Sequence, residues 1–274
     1  MQDHENKETN VKSTIDAVTG LVSAIPIYQD AIQPSAKQIG KSLETVTKTV
    51  NIALSPIKAL VWGYEKIEEF ITSKVSEKLK NVSEENIVSP PTSIAGPTVE
   101  ALRFAGDDIN LRELYANLLA SSMDKTTQDL IHPGYVEIIK NLSSDEALLL
   151  QAFKHSIYHP LIDISAKLPG SQSKKQYSNF SHFYKIINIK RPDLIPSYLD
   201  NIIRLGLAEI PFGSTLLDPN IYEPLEDDSE LDLLKFKITN ELKATVRLER
   251  KYIILTAFGR LFVQNIVIDK NENI

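Results

Sequence analysis

An apolar repeat over 36–71 limits the folds open to this chain more than any other feature. Ala36, Ile39, Leu43, Val46, Val50, Ala53, Ile57, Leu60, Tyr64, Ile67 and Ile71 recur at alternating steps of three and four. Side chains at that spacing share one helix face, so the repeat draws a long seam that something must cover. A coiled-coil dimer places charges beside its seam. Here the flanks are Gly40, Ser42, Thr47, Thr49, Leu54, Pro56, Val61 and Gly63, small or apolar residues that fit burial in a helical bundle instead. Pro56 removes a backbone donor, so two helices are expected, over 36–54 and 56–80, meeting at a kink or break.

The same stretch has a second face. Lys37, Lys41, Lys48 and Lys58 fall opposite the seam, and Trp62 follows them. A basic face, an apolar face and an interfacial aromatic together describe a membrane or partner face, and a solvated lysine face explains the same residues. The expectation is a protein partner or self-association through helices, with peripheral membrane contact as an alternative.

The chain has 274 residues, 30 Lys+Arg against 36 Asp+Glu, and no cysteine. Absence of cysteine excludes disulfides, thiolate metal sites and a cysteine nucleophile, and suits a reducing compartment. The start, MQDHENKETNVK, is not a secretory signal, and no run of about 18 apolar residues occurs. A cytoplasmic protein is expected, with the inner membrane as a peripheral site. The negative balance argues against general nucleic-acid binding. Charge is uneven, however: residues 91–150 hold four bases and nine acids, and 151–274 hold sixteen and fifteen.

Along the chain, 1–10 reads as a disordered tail, 11–88 as an N-terminal amphipathic helical region, 89–158 as a central helical domain and 159–274 as a C-terminal domain. A helix is expected over 11–27. VSPPTSIAGP reads as a loop, with Pro97 opening the next helix. Asn110 and Glu113 resemble a capping box over 110–123, and Ser143 with Glu146 a better one. Residues 161–168 suggest a helix and 171–177 a polar loop, with 180–189 ambiguous. Pro196 opens a helix that Gly206 ends, and 207–211 is a strand. The acidic stretch 218–232 reads as a solvated loop. Residues 233–238 and 244–248 are expected to pair as strands, followed by a strand over 252–255 and a Thr256-capped helix to about Val267. LDNIIRLGL, a β segment and YIILTAFGRLF look like the end of a winged-helix domain. The fold class is thus mainly α: a helical N-terminal and central bundle, then a winged-helix-like α+β C-terminal domain.

Candidate sites are sparse. His155 and His159 sit four apart, but HSIYHP lacks the glutamate of HExxH and Pro160 stops a helix there. His132 before Pro133 reads as a cap or loop residue. Asp107, Asp108 and Glu113 are explained by the dipole of a helix N-terminus. No Walker loop, GxGxxG or GxSxG occurs. No catalytic, cofactor or metal site is expected, nor a small-molecule substrate. If the C-terminal domain binds DNA, Lys174, Lys175, Lys185, Lys190 and Arg191 are the phosphate contacts.

Residues 28–153 carry a family resemblance. It rests on YQDAIQPSAKQIGKSLETVTKTVNIALSPIKALVWGYEKI, LRELYANLLASSMD and HPGYVEIIKNLSSDEALLL. In these the chain resembles the abortive-infection alpha (Abi-alpha) family of bacterial proteins, and LGLAEI and LTAFGRLFV look like its usual continuation. The resemblance implies defence against bacteriophage by arrest or death of the infected cell. It brings no catalytic residue and no known target. A DNA-binding regulator using the winged helix is the alternative reading.

Overall fold

The structure, a computed structural model, describes residues 64–170 and 172–272, with side chains described from Ile67 onward. The expected tail, the helix over 11–27, the kink at Pro56 and the face of Lys37, Lys41, Lys48, Lys58 and Trp62 lie outside the described residues. The described residues are mainly helical, with one antiparallel sheet. None of the described helices is long and apolar enough to cross a membrane.

The last two seam positions are in view. On α1 (Tyr64–Lys78), Ile71 and Val75 are buried, and Ile67 packs against the same core. At this end the seam is covered by the chain itself, chiefly by α3 (Ile109–Ser122). Every residue of α3 from Leu114 to Ser122 is buried, so it is the central pillar. α2 (Thr92–Ala105) packs beside it and corrects one expectation. Only the first part of VSPPTSIAGP is loop, because the helix starts at Thr92 and Pro97 lies inside it. Without an N–H, Pro97 leaves one carbonyl of the preceding turn without its helical bond. Asp108, not Asn110, caps α3: its carboxylate accepts from the Asn110 and Leu111 amides at 2.9 and 3.1 Å. α4 (Tyr135–Lys140) follows, then α5 (Ser144–Leu150). Ser143 and Glu146 form the expected reciprocal capping box at the start of α5.

The sheet has the order β2-β1-β4-β3, all antiparallel. β1 (Tyr158–Lys167) and β2 (Ser173–Phe180) replace the helix and polar loop expected there. Ile162, Ile164 and Ala166 alternate with Asp163, Ser165 and Lys167, a period of two that favours a strand. Short α6 (Phe183–Ile186) leads to α7 (Ile195–Arg204), which ends at Gly206 with φ 74°, as its sequence forecast. β3 (Ala208–Glu209) follows. The stretch read as a solvated acidic loop is ordered instead, as a 3-10 turn, α8 (Glu223–Glu226) and the start of α9 (Ser229–Asn240). The hairpin expected from 233–238 and 244–248 does not form, because 233–238 lies within α9. β4 (Thr245–Leu255) pairs with β1 along its whole length. Thr256 caps α10 (Ala257–Phe262), which runs on as π-helix over Val263–Val267.

The sheet separates two apolar clusters. Leu161 and Ile253 face the helical core, whereas Ile162 and Ile164 pack against Leu225 of α8 and Leu231 and Ile238 of α9. The C-terminal π-helical turn closes onto α3. There Asn117 donates to the Ile266 carbonyl at 2.8 Å and Ser121 to the Asn265 carbonyl at 2.7 Å. Those two buried bonds satisfy carbonyls that an irregular turn exposes.

Candidate functional site

β2 ends at Phe180, and Ser181 and His182 turn the chain into α6. This turn meets the N-terminus of α9. Asp228 caps α9 by accepting from the Glu230 amide at 2.8 Å. The His182 Nε2 lies 2.8 Å from its other oxygen, which Lys185 also contacts. Burial pushes the Asp228 carboxyl up, but hydrogen bonds from Lys185, the Glu230 amide and His182 outweigh it and hold the pKa down at about 2. Asp228 is therefore an anion, and His182 must point Nε2–H at it.

Beside this cluster lies a pocket of about 170 Å³, bounded by His159 and Pro160 of β1, by Ser181, His182 and Phe183, and by Leu225 of α8. The ring of His159 packs against Phe153 and Phe183, with centroids 4.9 and 4.8 Å away. Its Nε2 is 3.0 Å from the Ala152 carbonyl. Burial pushes its pKa down, so the ring is neutral near pH 7. A carbonyl only accepts, which places the proton on Nε2 and leaves Nδ1 as an acceptor. The Ser181 hydroxyl is buried without a hydrogen-bond partner. Ser181, His182 and Asp228 do not form a nucleophile relay, because nothing hydrogen-bonds the hydroxyl to the imidazole.

The five expected DNA contacts are placed separately. Lys174 and Lys175 are neighbours on β2, so their side chains leave opposite faces of the sheet. Lys175 pairs with Asp163, and Lys185 with Asp228. The Lys190 and Arg191 amides donate to Asp145 at 3.2 and 3.0 Å, while the Arg191 guanidinium holds Asp193. Strand register gathers a different set. Lys167, Lys175, Arg247 and Lys251 share one side of β1, β2 and β4, with Asp163 and Glu249 between them. Asp163 is buried under Lys175 and Lys251 and accepts from the Asn179 amide at 2.8 Å.

His155 and His159 do not share a helix, since His155 follows a 3-10 turn and His159 lies in β1. His132 accepts from the Gly134 amide through Nδ1 at 3.0 Å, a local turn contact. Sequence reasoning missed Ser181, His182 and Asp228. Asp228 lay within the acidic block, but no local pattern ties it to a histidine 46 residues away. On the outer side of α9, Leu233 and Phe236 are 63% and 62% exposed.

A family model described as Abortive infection alpha matches residues 63–266. No curated protein matches the chain. A solved structure of an uncharacterized protein from the hydrocarbon-degrading marine bacterium Alcanivorax borkumensis SK2 is similar over 53% of this chain and 96% of its own, at 20% identity and a TM-score of 0.34.

Proposed function

The chain belongs to the Abortive infection alpha family, and from that premise we propose that it is a bacterial anti-phage protein acting through protein or membrane contacts, without catalysis. The observation that carries the contact reading is the pair Leu233 and Phe236, two large apolar side chains three apart on α9 and turned outward. The buried carboxylates support the non-catalytic half. Asp145 accepts two amides and the Tyr198 hydroxyl, Asp163 is held by two lysines, and Asp228 by Lys185 and His182. Asp163 and Asp228 are held below the usual carboxylate range inside the fold, away from the raised pKa that suits a general acid.

The test is infection of cells expressing the chain or its Leu233→Glu/Phe236→Glu double variant. Both positions are exposed, so the variant should melt like the parent. Loss of protection with an unchanged melting temperature supports the contact reading; full protection by the double variant removes it.

A second reading, a DNA-binding regulator with a winged-helix-like C-terminal domain, draws support from Lys167, Lys175, Arg247 and Lys251 on one sheet face. It requires a salt-dependent shift of duplex DNA that weakens in Lys167→Glu/Arg247→Glu. Absence of any shift at low salt rules it out.

A further inference from the structure

We propose that the loop 210–217 docks on the surface of an uncharged lipid bilayer, inserting Phe212 and Leu217. The loop links β3 to the 3-10 turn over Pro219–Ile221. Among the described residues, Phe212 and Leu217 are the large apolar side chains that stand fully exposed, at 103% and 101%. Phe104, Ile109, Leu233 and Phe236 are exposed too, yet each keeps part of its surface covered. Each of those four also adjoins a charged residue: Arg103, Asp108, Asp232 and Lys235. The loop reads IPFGSTLL, a run without a charge until Asp218 closes it.

The loop is held in shape. The Ser214 amide donates to the Pro211 carbonyl at 3.4 Å, closing a turn with Phe212 at its corner. Gly213 follows with φ 66°, the left-handed backbone that a type II turn needs at its third position. At the base, the hydroxyl of buried Tyr222 accepts from the Leu216 amide at 3.1 Å and donates to the Lys251 carbonyl at 3.0 Å. Leu216 packs against the cluster of Ile162 and Ile164, and Leu217 beside it is left in solvent. A loop ordered in advance loses little conformational freedom on binding.

The same features select the partner. Between Ile210 and Leu217 no charge has to leave water. Two side chains with no apolar surface around them would each need a separate pocket in a protein, whereas fluid lipid closes around any shape. Phe212 and Leu217 can enter the boundary between headgroups and acyl chains. The turn backbone and the hydroxyls of Ser214 and Thr215 stay among the headgroups, where water reaches them. The exposed neighbours Glu209, Asp218 and Glu223 are acidic and repel anionic headgroups, so the surface that fits is neutral. This names a lipid partner within the contact reading, through residues other than Leu233 and Phe236, so either test can fail while the other succeeds.

The experiment is flotation of the full chain with phosphatidylcholine vesicles. The chain is expected to float with them, and added salt should not release it. Phe212→Ser/Leu217→Ser should weaken binding at least about tenfold, because burying two such side chains contributes more than the ~1.4 kcal/mol that this factor requires. Both positions are fully exposed, so the variant should melt like the parent. The chain has no cysteine, so Phe212→Cys and Leu217→Cys can each carry a single environment-sensitive fluorophore, whose emission should shift to the blue on vesicles. No flotation, release by salt, undiminished binding of the double variant, or unshifted emission at either position would each overturn the proposal.

Discussion

Gly259 lies flat against the backbone carbonyl of Leu207: a Cβ at position 259 would stand 1.7 Å from that oxygen. The contact docks α10 onto the end of α7. Thr256 reinforces it, since its amide donates to the Leu207 carbonyl at 3.1 Å and its hydroxyl to the Gly206 carbonyl at 2.7 Å. The obstructing atom is backbone, so no rotamer change relieves it. Gly259→Ala is expected to destabilise the fold by about 3 kcal/mol, as severe overpacking does. Gly96, exposed in α2 with nothing beyond its chain neighbours near its would-be Cβ, is the milder case. The helix propensity gained by Gly96→Ala is offset by Pro97, which disfavours helical backbone at a preceding residue that carries a Cβ, so the net change should stay within about 1 kcal/mol. Urea unfolding of both variants checks the pair.

Asp145 ties α5 to the entry of α7. It accepts from the Lys190 amide at 3.2 Å, the Arg191 amide at 3.0 Å and the Tyr198 hydroxyl at 3.1 Å. Asp145→Ala leaves those donors unpaired in a part-buried site and should cost about 3 kcal/mol. Asp145→Asn keeps one acceptor oxygen and should cost about half as much. A loss under about 1 kcal/mol for alanine would show that water replaces the carboxylate without penalty.

At Asp163 the two lysines should differ. Lys175 is half exposed, whereas Lys251 is largely covered. Lys175→Met should therefore change stability by less than about 0.5 kcal/mol, because water screens an exposed partner. Lys251→Met should cost about 2 kcal/mol, since the buried carboxylate loses its covered counter-charge. Equal costs, read by chemical unfolding, would contradict the burial argument.

Acid sensitivity has a definite sign. The folded-state pKa of Asp228, about 2, lies below its ordinary 3.8. The stabilisation is complete above the ordinary value and is lost as pH falls through the folded one. Asp163, Asp124 and Asp269 are shifted the same way, by hydrogen bonds and cations that outweigh their burial. Stability should thus fall between roughly pH 4 and 2. Asp228→Asn should flatten part of that limb, measured as melting temperature against pH.

What could be read from the residues was what adjacent residues decide. Ser143 with Glu146, Thr256 with Gly259, and Gly206 after α7 are caps and stops within one turn of chain, and all appear where expected. The spacing of Thr256 and Gly259 has a physical reason, the cap plus the close approach to Leu207. Residues 161–168 misled because Leu161 and Ile162 are adjacent apolar residues that also fit a helix face, although the alternation from Ile162 to Lys167 is that of a strand. Residues 233–238 misled in the other direction. Their short apolar run resembles a strand, but Leu231 and Ile238, seven apart, face the sheet from one side of a helix. The pocket was invisible for a different reason. His159 lies beside Ser181 and His182, and His182 meets Asp228, only because β1, the β2–α6 turn and α9 pack together, and sequence spacing carries no trace of that.

The most direct measurement of the central claim is a single cycle of phage infection in which every cell expressing the chain is infected. Phage released per cell and survival of the infected cells are counted against cells lacking the chain. Abortive infection requires that release fall sharply while the infected cells still die or stop dividing. Unchanged release, or low release with full cell survival, would contradict it.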